Sequence, residues 1–489
     1  MQALQDYIQK LMAEKGLSKS ALAEALGYRS KTSLDRIMAD SSRESSLRKF
    51  RQAVLAAFPM TPEEKRELNE AVQIGIYGMR QYLLNQQMWK FVRGDYPESA
   101  KDIQITAAEN GRIISMSERY QAARNLHITV LNCQYTPALF ELLHTLLMRE
   151  DVVVNHYVYV DADSVRTMAA VNALMRVFYM NGYDCFALNT LRREEGFAES
   201  GMNAADVAVF EYTDANGKPR EDVVTFQSPV SGMMATRPAP TGALRRLLGL
   251  DSGEYYSIKR IYFDYNELDD YIQFSADYAA LEENRAIWKI KPDIGVDQIP
   301  VSIMETALLR GAGDKSVDPQ FFEVLSALRE VYRKRVMNSF SKKKHAHTIM
   351  KRRAMRAFAQ TGRTTDHFWM MSPYTPEERV QILQTLLEQQ QNNPYIHMYF
   401  LKDDDALRDI EIACYEDTGM LLLESNTDYH LERGHSEVLI TLNELLRLFR
   451  DFFMRTLVRE YVLPESETCR FLQQLIEEIK TGQQTSPAG

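Results

Sequence analysis

The sequence has few cysteines and no long apolar run. Four cysteines in 489 residues lie far apart and form no Cys-x-x-Cys pair, which is typical of buried thiols in a reducing compartment. No segment approaches the roughly 18 consecutive apolar residues of a membrane helix. The first residues, "MQALQDYIQKLMAEKG", have the pattern of an amphipathic helix and not that of a signal peptide. These absences predict a cytoplasmic protein with no membrane partner.

The familiar motifs of catalysis are also missing. The chain has no phosphate-binding G-x-x-x-x-G-K-S/T, no G-x-S-x-G nucleophile motif and no H-E-x-x-H zinc motif. "HLERGH", with His430, Glu432 and His435, contains metal-binding residue types without a standard spacing.

The other histidines have ordinary interpretations. "HAH", with His345 and His347, lies in a run of lysines and is interpreted as solvated. His156 and His397 fall inside predicted strands and are interpreted as core residues. We therefore expect no metal site, no cofactor and no enzyme.

Length and charge divide the chain. A chain of 489 residues is too long for one ordinary domain and predicts about three. The net charge is −9, yet residues 1–60 contain ten Lys or Arg and six Asp or Glu, a balance of +4 that leaves −13 for the rest. A basic end on an acidic body predicts that this end contacts a polyanion.

Four short helices are predicted in residues 1–60. The second, in "LSKSALAEALGY", has Ser18 as its N-cap and ends at Gly27, where a left-handed residue is needed. Ser30 caps the third, "KTSLDRIMAD", whose inward residues include Leu34. A tight glycine turn between two short helices is typical of a helix-turn-helix.

Two stretches of this segment carry a resemblance to a known family. "GLSKSALAEALG" has Leu22-Ala23 five residues before the turn glycine Gly27, and "SKTSLDRIM" ends in Arg36-Ile37. In these features residues 1–60 resemble the lambda-repressor/Cro-like (XRE-type) helix-turn-helix transcriptional regulators. The turn "GYRSK" is one residue longer than the usual Gly-Val-Ser of that family.

The resemblance implies a surface that contacts DNA. Its residues would be Lys19, Arg29, Ser30, Lys31, Thr32, Ser33 and Arg36. Because the recognition helix enters the major groove by its first turn, Lys31, Thr32 and Ser33 would reach base edges or phosphates, and Lys19 would contact the backbone. The alternative is a set of solvated polar residues on a domain that binds protein.

A linker helix is predicted next. Thr61 is an N-cap, Pro62 takes the first helical position and Glu64 completes a capping box. The apolar pattern predicts one helix from about Thr61 to Val92, which joins the head to the body.

One phrase then occurs twice, more than two hundred residues apart. "QYTPALFELLHTLL" begins at Gln134 and "PYTPEERVQILQTLL" at Pro373. Each follows an apolar run that begins with His127 or His367, and each precedes a second run that ends in aspartates. This order predicts two β-α-β units, although Thr-Pro helix starts are common and Thr61 begins a third.

Aspartates follow the second strand of both units. They are Asp161, Asp163, Asp403, Asp404 and Asp405. Two β-α-β units side by side place such strand ends at a cleft. Between the units, "ADVAVFEYTDANGKPREDVVTFQSP" predicts a hairpin that turns at Asn216-Gly217.

A duplicated α/β body behind a helix-turn-helix loosely resembles the phospholipase D-like domains of some regulators. The catalytic form of that family has His-x-Lys in each half. In "HYVYVD" and "HMYFLKDD" the position two after histidine is Val158 or Tyr399. The resemblance therefore implies a cleft that binds and does not cut.

The segment 329–363 is strongly basic. It carries twelve Lys or Arg and a single acid, Glu330. One interpretation is an anion-binding surface, with Lys342, Lys343, Lys344, Lys351, Arg352 and Arg353 as its candidates. The other is a helical surface that neutralises the acidic body.

These patterns predict a multidomain protein: an all-α helix-turn-helix head followed by a duplicated α/β body with C-terminal helices. The predicted domains are a DNA-binding domain (1–60), a linker helix (61–98), a first α/β unit with a β-hairpin insertion (99–315), a basic helical segment with the second α/β unit and C-terminal helices (316–480), and a disordered tail (481–489).

We expect a transcriptional regulator that binds double-stranded DNA as a homodimer, because one short recognition helix reads few base pairs. Its large, non-catalytic body would sense an unidentified small-molecule or anionic ligand or mediate assembly. Two other hypotheses remain open: a DNA-targeted hydrolytic enzyme that uses the acidic and histidine residues of the cleft, and a scaffold whose helix-turn-helix binds protein.

Overall fold

Helices come first in the chain, a mixed α/β body follows, and helices return at its C-terminal end. This order agrees with the predicted fold class. The chain divides into two units, Met1–Trp89 and Lys90–Gly489. The computed structural model describes residues 2–38, 44–94, 105–133, 136–160, 163–178, 180–189, 206–228, 231–237, 256–263, 268–313, 319–341, 343–364, 371–407, 410–424 and 435–482.

The first unit is helical. Its helices are α1 (Gln2–Glu14), α2 (Lys19–Ala25), α3 (Thr32–Met38), α4 (Glu44–Ala57), α5 (Pro62–Tyr77) and the greater part of α6 (Met79–Arg93). Their apolar faces share one core, in which Ile8, Phe50 and Leu68 are fully buried. Each such side chain contributes about 1.5–3 kcal/mol by leaving water. Because Leu68 belongs to this core, α5 packs with α1 and α4 and is more than a connection.

The predicted helix from Thr61 to Val92 is two helices. Its start is as predicted: the Glu64 N–H donates to Thr61 Oγ1 at 3.2 Å, and the Thr61 N–H donates to Glu64 Oε2 at 2.7 Å. Gly78, with φ of +80° and ψ of 157°, then ends α5, because this backbone conformation is not helical. The single long helix is therefore wrong.

The strands of the second unit are β1 (Thr106–Glu109), β2 (Arg112–Ser115), β3 (Arg124–Leu131), β4 (Val152–Val160), β5 (Tyr183–Asn189), β6 (Val207–Thr213), β7 (Pro219–Ser228), β8 (Ser231–Arg237), β9 (Tyr256–Phe263), β10 (Ile287–Ile290), β11 (Ala346–Met350), β12 (Ile396–Phe400), β13 (Ile410–Tyr415), β14 (Gly419–Glu424) and β15 (His435–Ile440). The predicted hairpin is β6–β7, in which Gly217 has a φ of +76°.

The helices of this unit are α7 (Met116–Gln121), α8 (Pro137–Leu147), α9 (Ser164–Phe178), α10 (Leu268–Glu282), α11 (Val301–Ala312), α12 (Pro319–Ser339), α13 (Arg352–Thr361), α14 (Pro376–Asn392), α15 (Asn443–Phe452) and α16 (Glu465–Thr481). The segment Phe453–Tyr461 between the last two is π-helical. Among the described residues, no helix is long and apolar enough to cross a membrane.

The described strands pair in the order β12-β11-β10-β13-β14-β15-β9-β5-β4-β3-β6-β7-β8-β1-β2. Two parts of this order are alike. In one, β5, β4 and β3 are parallel and β6, β7 and β8 follow antiparallel. In the other, β12, β11 and β10 are parallel and β13, β14 and β15 follow antiparallel. Each half therefore has three parallel strands beside an antiparallel meander.

The repeated Thr-Pro phrase does not mark equivalent positions in these halves. Pro137 begins the helix after the first parallel strand of its half, β3, whereas Pro376 begins a helix between the second and third strands, β11 and β12. Thr375 forms a full capping box, but Thr136 makes no capping hydrogen bond. The phrase is a helix-start signal that both segments use, and the strand predicted from His367 lies largely outside the described residues.

Gly362 provides a test of how α13 connects to α14. It is left-handed (φ +71°), and an added Cβ would overlap the Tyr374 carbonyl oxygen and lie 2.9 Å from its nitrogen. Gly482, at the end of α16, has a similar φ of +64° with nothing within 4 Å. We expect Gly482→Ala to cost about 1 kcal/mol and Gly362→Ala about 4 kcal/mol of unfolding free energy. Urea unfolding followed by circular dichroism measures both; equal losses would contradict the close approach to Tyr374.

Candidate functional site

The first unit contains the predicted pair of short helices. Ser18 caps α2, with its Oγ accepting the Ala21 N–H at 3.2 Å. Gly27 has a φ of +74° and turns the chain after α2. Leu22 and Leu34, from α2 and α3, are both fully buried in the core of this unit. This burial fixes the rotation of α3 about its own axis.

The predicted DNA-contacting residues lie mostly on the surface. Exposed side chains are those of Arg29, Ser30, Lys31, Thr32 and Arg36, whereas Ser33 and Lys19 are half-buried. Residues 29–32 thus form a continuous exposed polar segment that leads into α3. Leu34, which the sequence predicted to face inward, is buried, so the exposed positions of α3 follow the helical period.

Lys19 has a partner within the protein. Its Nζ forms an ion pair with Asp35, which links the start of α2 to α3. An exposed pair of this kind contributes little free energy, about 0–1 kcal/mol. Because of this ion pair, a DNA phosphate that contacts Lys19 would compete with the Asp35 carboxylate for the Lys19 ammonium group.

Several cations of the basic segment 329–363 form ion pairs with acids of the same unit. On α12, Arg329 pairs with Glu305 and Arg333 with Glu330, both at the surface. Arg335 is different, because its guanidinium NH2 lies 3.1 Å from Oε1 of the buried Glu282. The run of charge in the sequence is therefore divided between solvent and interior.

Three of the six candidate anion-binding residues are engaged where α13 begins. Lys351 is buried, and its Nζ donates to the Leu407 carbonyl at 2.7 Å. The backbone N–H groups of Arg352 and Arg353 donate to the carboxylate of Asp404 at 2.9 and 2.7 Å. The protein's own Asp404 thus takes the position that an anion would occupy at this helix start.

The other three candidates precede β11. Lys343 is exposed and Lys344 is half-buried, while Lys342 lies outside the described residues. The five candidates that the structure describes are therefore divided between the turn before β11 and the start of α13.

A network of buried charges lies on one face of β10. Lys289 Nζ is 2.6 Å from Asp297 Oδ2 and 3.3 Å from Glu282 Oε1, and all three residues are at most 4% exposed. Burial alone would raise the pKa of Asp297, but Lys289, Arg335 and Lys291 outweigh it and hold that pKa well below its ordinary value. Ser339 also donates to Asp297. This network connects β10 to α10 and α12.

The predicted acidic cleft is not formed by neighbouring strands. Seven strands separate β4 from β12 in the sheet order. Asp163 Oδ1 accepts the Val165 N–H at 2.9 Å at the start of α9, and Asp403 Oδ1 accepts the Asp405 N–H at 3.0 Å. Asp161 lies outside the described residues. Asp163 and Asp403 therefore serve local turns, Asp404 accepts hydrogen bonds from the start of α13, and Asp405 pairs with Arg353.

Three histidines converge on the opposite face of β11 and β12. His345, His347 and His397 each offer a ring nitrogen, and these three atoms lie within 4.8 Å of one another. His345 Nδ1 is 3.1 Å from His397 Nε2, and His347 Nδ1 is 3.2 Å from the Tyr399 hydroxyl. Within the described part of the chain, this is the cluster whose donor atoms could hold a metal ion.

The environment of His347 and His397 favours neutral imidazoles. Burial, followed by the neighbouring His397 and His345, lowers the pKa of His347 to about 3. Burial and His345 also lower the pKa of His397, against the opposing carboxylate of Glu465. The rings are nearly parallel, with interplanar angles of 12° to 16°.

His156 behaves as a core histidine, as the sequence predicted. It is fully buried in β4, its Nδ1 lies 2.8 Å from the Tyr183 hydroxyl, and its Nε2 contacts the Asn132 carbonyl. Burial lowers its pKa to about 4. Both ring nitrogens are used within the protein.

The prediction for the other histidines missed their convergence. "HAH" was interpreted as solvated because lysines precede it, and His397 as a core residue. The available signal was the His-x-His spacing, which puts two side chains on one face of a strand. Nothing in the sequence showed that β12 would pair with β11 and bring His397 beside them.

Comparisons with known proteins give little. No protein-family model matches the chain, and no curated protein matches it. A solved structure of phosphatidylserine synthase from Haemophilus influenzae Rd KW20 is similar at 13% identity, over 75% of this chain and 89% of that one, with a TM-score of 0.24.

One expectation is corrected by this comparison. The sequence predicted that the chain is not an enzyme, whereas the structure that it loosely matches belongs to one. The non-catalytic interpretation of the body is therefore withdrawn. At this TM-score, the likeness does not transfer an activity to the chain.

Substitutions of Arg335 and Arg333 test whether cations of the segment 329–363 differ in their contribution to stability according to the burial of their partners. Arg335→Met would leave Glu282 buried with Lys289 as its remaining cation, so we expect a loss of about 3 kcal/mol in unfolding free energy. Arg333→Met, on the same helix, removes an exposed pair and should change nothing measurable. Urea titration of both variants checks this. A loss in Arg333→Met as large as that in Arg335→Met would contradict the assignment.

Proposed function

We propose that the first unit binds double-stranded DNA and that the chain is a transcriptional regulator. The observation that carries this proposal is the exposed polar segment 29–32, which continues into α3 with Arg36 also exposed. Such a surface between two short packed helices suits the major groove, which admits one α-helix.

The packing of α3 supports a defined orientation of this surface. Leu34 is fully buried and Ile37 is 5% exposed, so the helix cannot rotate without exposing apolar area. A rigid helix holds base-contacting side chains better than a mobile loop does. The residues proposed to reach base edges or phosphates are Lys31, Thr32 and Ser33, with Arg29, Ser30 and Arg36 beside them.

Charge supports the same surface. Residues 18–38 contain four basic and two acidic side chains. Arg29, Lys31 and Arg36 are exposed, whereas Lys19 is half-buried and pairs with Asp35. Cations of this kind supply the phosphate contacts that dominate affinity for DNA.

We further propose that the chain acts as a homodimer, since α3 has seven residues and reads few base pairs alone. The second unit would sense a small-molecule or anionic ligand or mediate assembly. The matching strand order of its halves supports its origin by duplication.

The double variant Lys31→Ala/Arg36→Ala tests DNA binding. Binding of the full-length protein to random-sequence duplex DNA is followed by fluorescence anisotropy at several salt concentrations. We expect the slope of log K against log salt to become less steep by about 2, because two phosphate or base contacts are lost.

Arg66→Ala is the matched control, because Arg66 is an exposed arginine of the same unit that pairs with Glu63 on α5. It should keep the wild-type slope. Circular dichroism checks that all variants are folded. A wild-type protein that shows no salt-dependent binding, or a control that loses as much as the double variant, would favour a protein-binding scaffold instead.

A further inference from the structure

The three histidines occupy one face of two paired strands. His347 of β11 lies opposite His397 of β12 in the parallel register, a spacing of about 4.8 Å. His345 comes two residues earlier, so its side chain lies on the same face. Its carbonyl still accepts the Ile287 N–H at 2.9 Å, which holds this residue in line with the strand. The backbone thus fixes all three positions.

Tyr399 positions His347. Its hydroxyl lies 3.2 Å from His347 Nδ1, so the ring has a second nitrogen, Nε2, that this hydrogen bond does not use. Histidine ligands of metals usually have one ring nitrogen on a second partner, which fixes the orientation of the other. Tyr399 is such a second partner for His347, because its hydroxyl holds Nδ1 and so orients Nε2.

The surroundings suit a cation that enters from solvent. β12 is the outermost described strand on its side of the sheet, and His345 is exposed while His397 is half-buried. Glu465 lies near enough to His397 to act on it electrostatically, and this negative charge favours a bound cation. The third histidine, His347, is buried at 8% exposure.

We propose that His345, His347 and His397 bind a divalent transition-metal ion of the zinc class. Imidazole nitrogens are the ligands that Zn²⁺, Ni²⁺ and Co²⁺ share, and three histidines leave a fourth position for water or another small ligand. The exposed side of His345 places that fourth position toward solvent.

Binding requires a rotation of the rings. Ring nitrogens direct their lone pairs in the ring plane, and the three planes are almost parallel. His345, being exposed, can turn so that its lone pair meets those of the others. The hydrogen bond between His345 and His397 would then be replaced by two bonds to the ion. This inference does not depend on DNA binding by the first unit.

Metal titration of the full-length protein tests the site. The protein is stripped with a chelator and titrated separately with Zn²⁺ alone, by calorimetry, and with Co²⁺ alone, by visible absorption. We expect one ion per chain and a Co²⁺ spectrum of four-coordinate nitrogen and oxygen ligation. His345→Gln and His397→Gln should each lose the stoichiometric site, and Tyr399→Phe should weaken it by about 10-fold.

His144→Gln is the matched control, since His144 is a half-buried histidine on α8 outside the cluster, and it should bind as the wild type does. Thermal unfolding of the metal-free proteins shows whether each variant is folded. The proposal is overturned if the wild type binds less than one ion, or if His345→Gln keeps the site. It is equally overturned if loss occurs instead in His430→Gln, which would place the metal in "HLERGH".

Discussion

The buried charges on β10 are the constraint on which the half of the sheet that contains β10, β11 and β12 depends. Lys289 is 4% exposed and faces Glu282 and Asp297, and a buried cation without such partners would cost several kcal/mol. The network therefore fixes which face of β10 is turned toward α10 and α12. Since side chains alternate along a strand, Trp288 takes the other face, in register with His347 and, one strand further, His397. The ionic network and the histidine cluster are consequences of one strand orientation.

The two basic regions of the chain are physically different, although they look alike as counts of Lys and Arg. Around α3, Arg29, Lys31 and Arg36 are exposed, and the apolar residues beneath them hold the helix in place. Around α12 and α13, four arginines pair with carboxylates of the same unit, and Lys351 is buried. A count of charges measures the attraction for a polyanion only when the charges remain in contact with water. This is why the head supports a nucleic-acid proposal more strongly than the segment 329–363 supports an anion site.

Local signals were predicted well, and pairing between distant segments was not. Ser18, Gly27 and the capping box at Thr61 act within a few residues, so the sequence is sufficient to recognise them. The break at Gly78 was missed because one glycine inside an apolar period is often tolerated in a helix. The strand order, the partners of Arg335 and the meeting of "HAH" with His397 all join residues that are far apart in the chain. A hydrophobic pattern among neighbouring residues cannot show such contacts. The repeated Thr-Pro phrase predicted equivalent positions in two β-α-β units, and the strand order does not support that equivalence.

The comparison of His156 with His347 shows what separates a structural histidine from a candidate ligand. Both are buried, and in both burial lowers the pKa far enough to keep the ring neutral. His156 uses one nitrogen toward Tyr183 and the other toward Asn132, so the fold already satisfies it. His347 uses one nitrogen toward Tyr399, and the nitrogens of His345 and His397 lie beside it. At His347 and His397 burial lowers the pKa and so favours neutral rings, which repel no cation. Each metal–nitrogen bond would replace a weaker contact between rings. Their placement on an accessible strand pair is therefore better explained by a ligand than by packing.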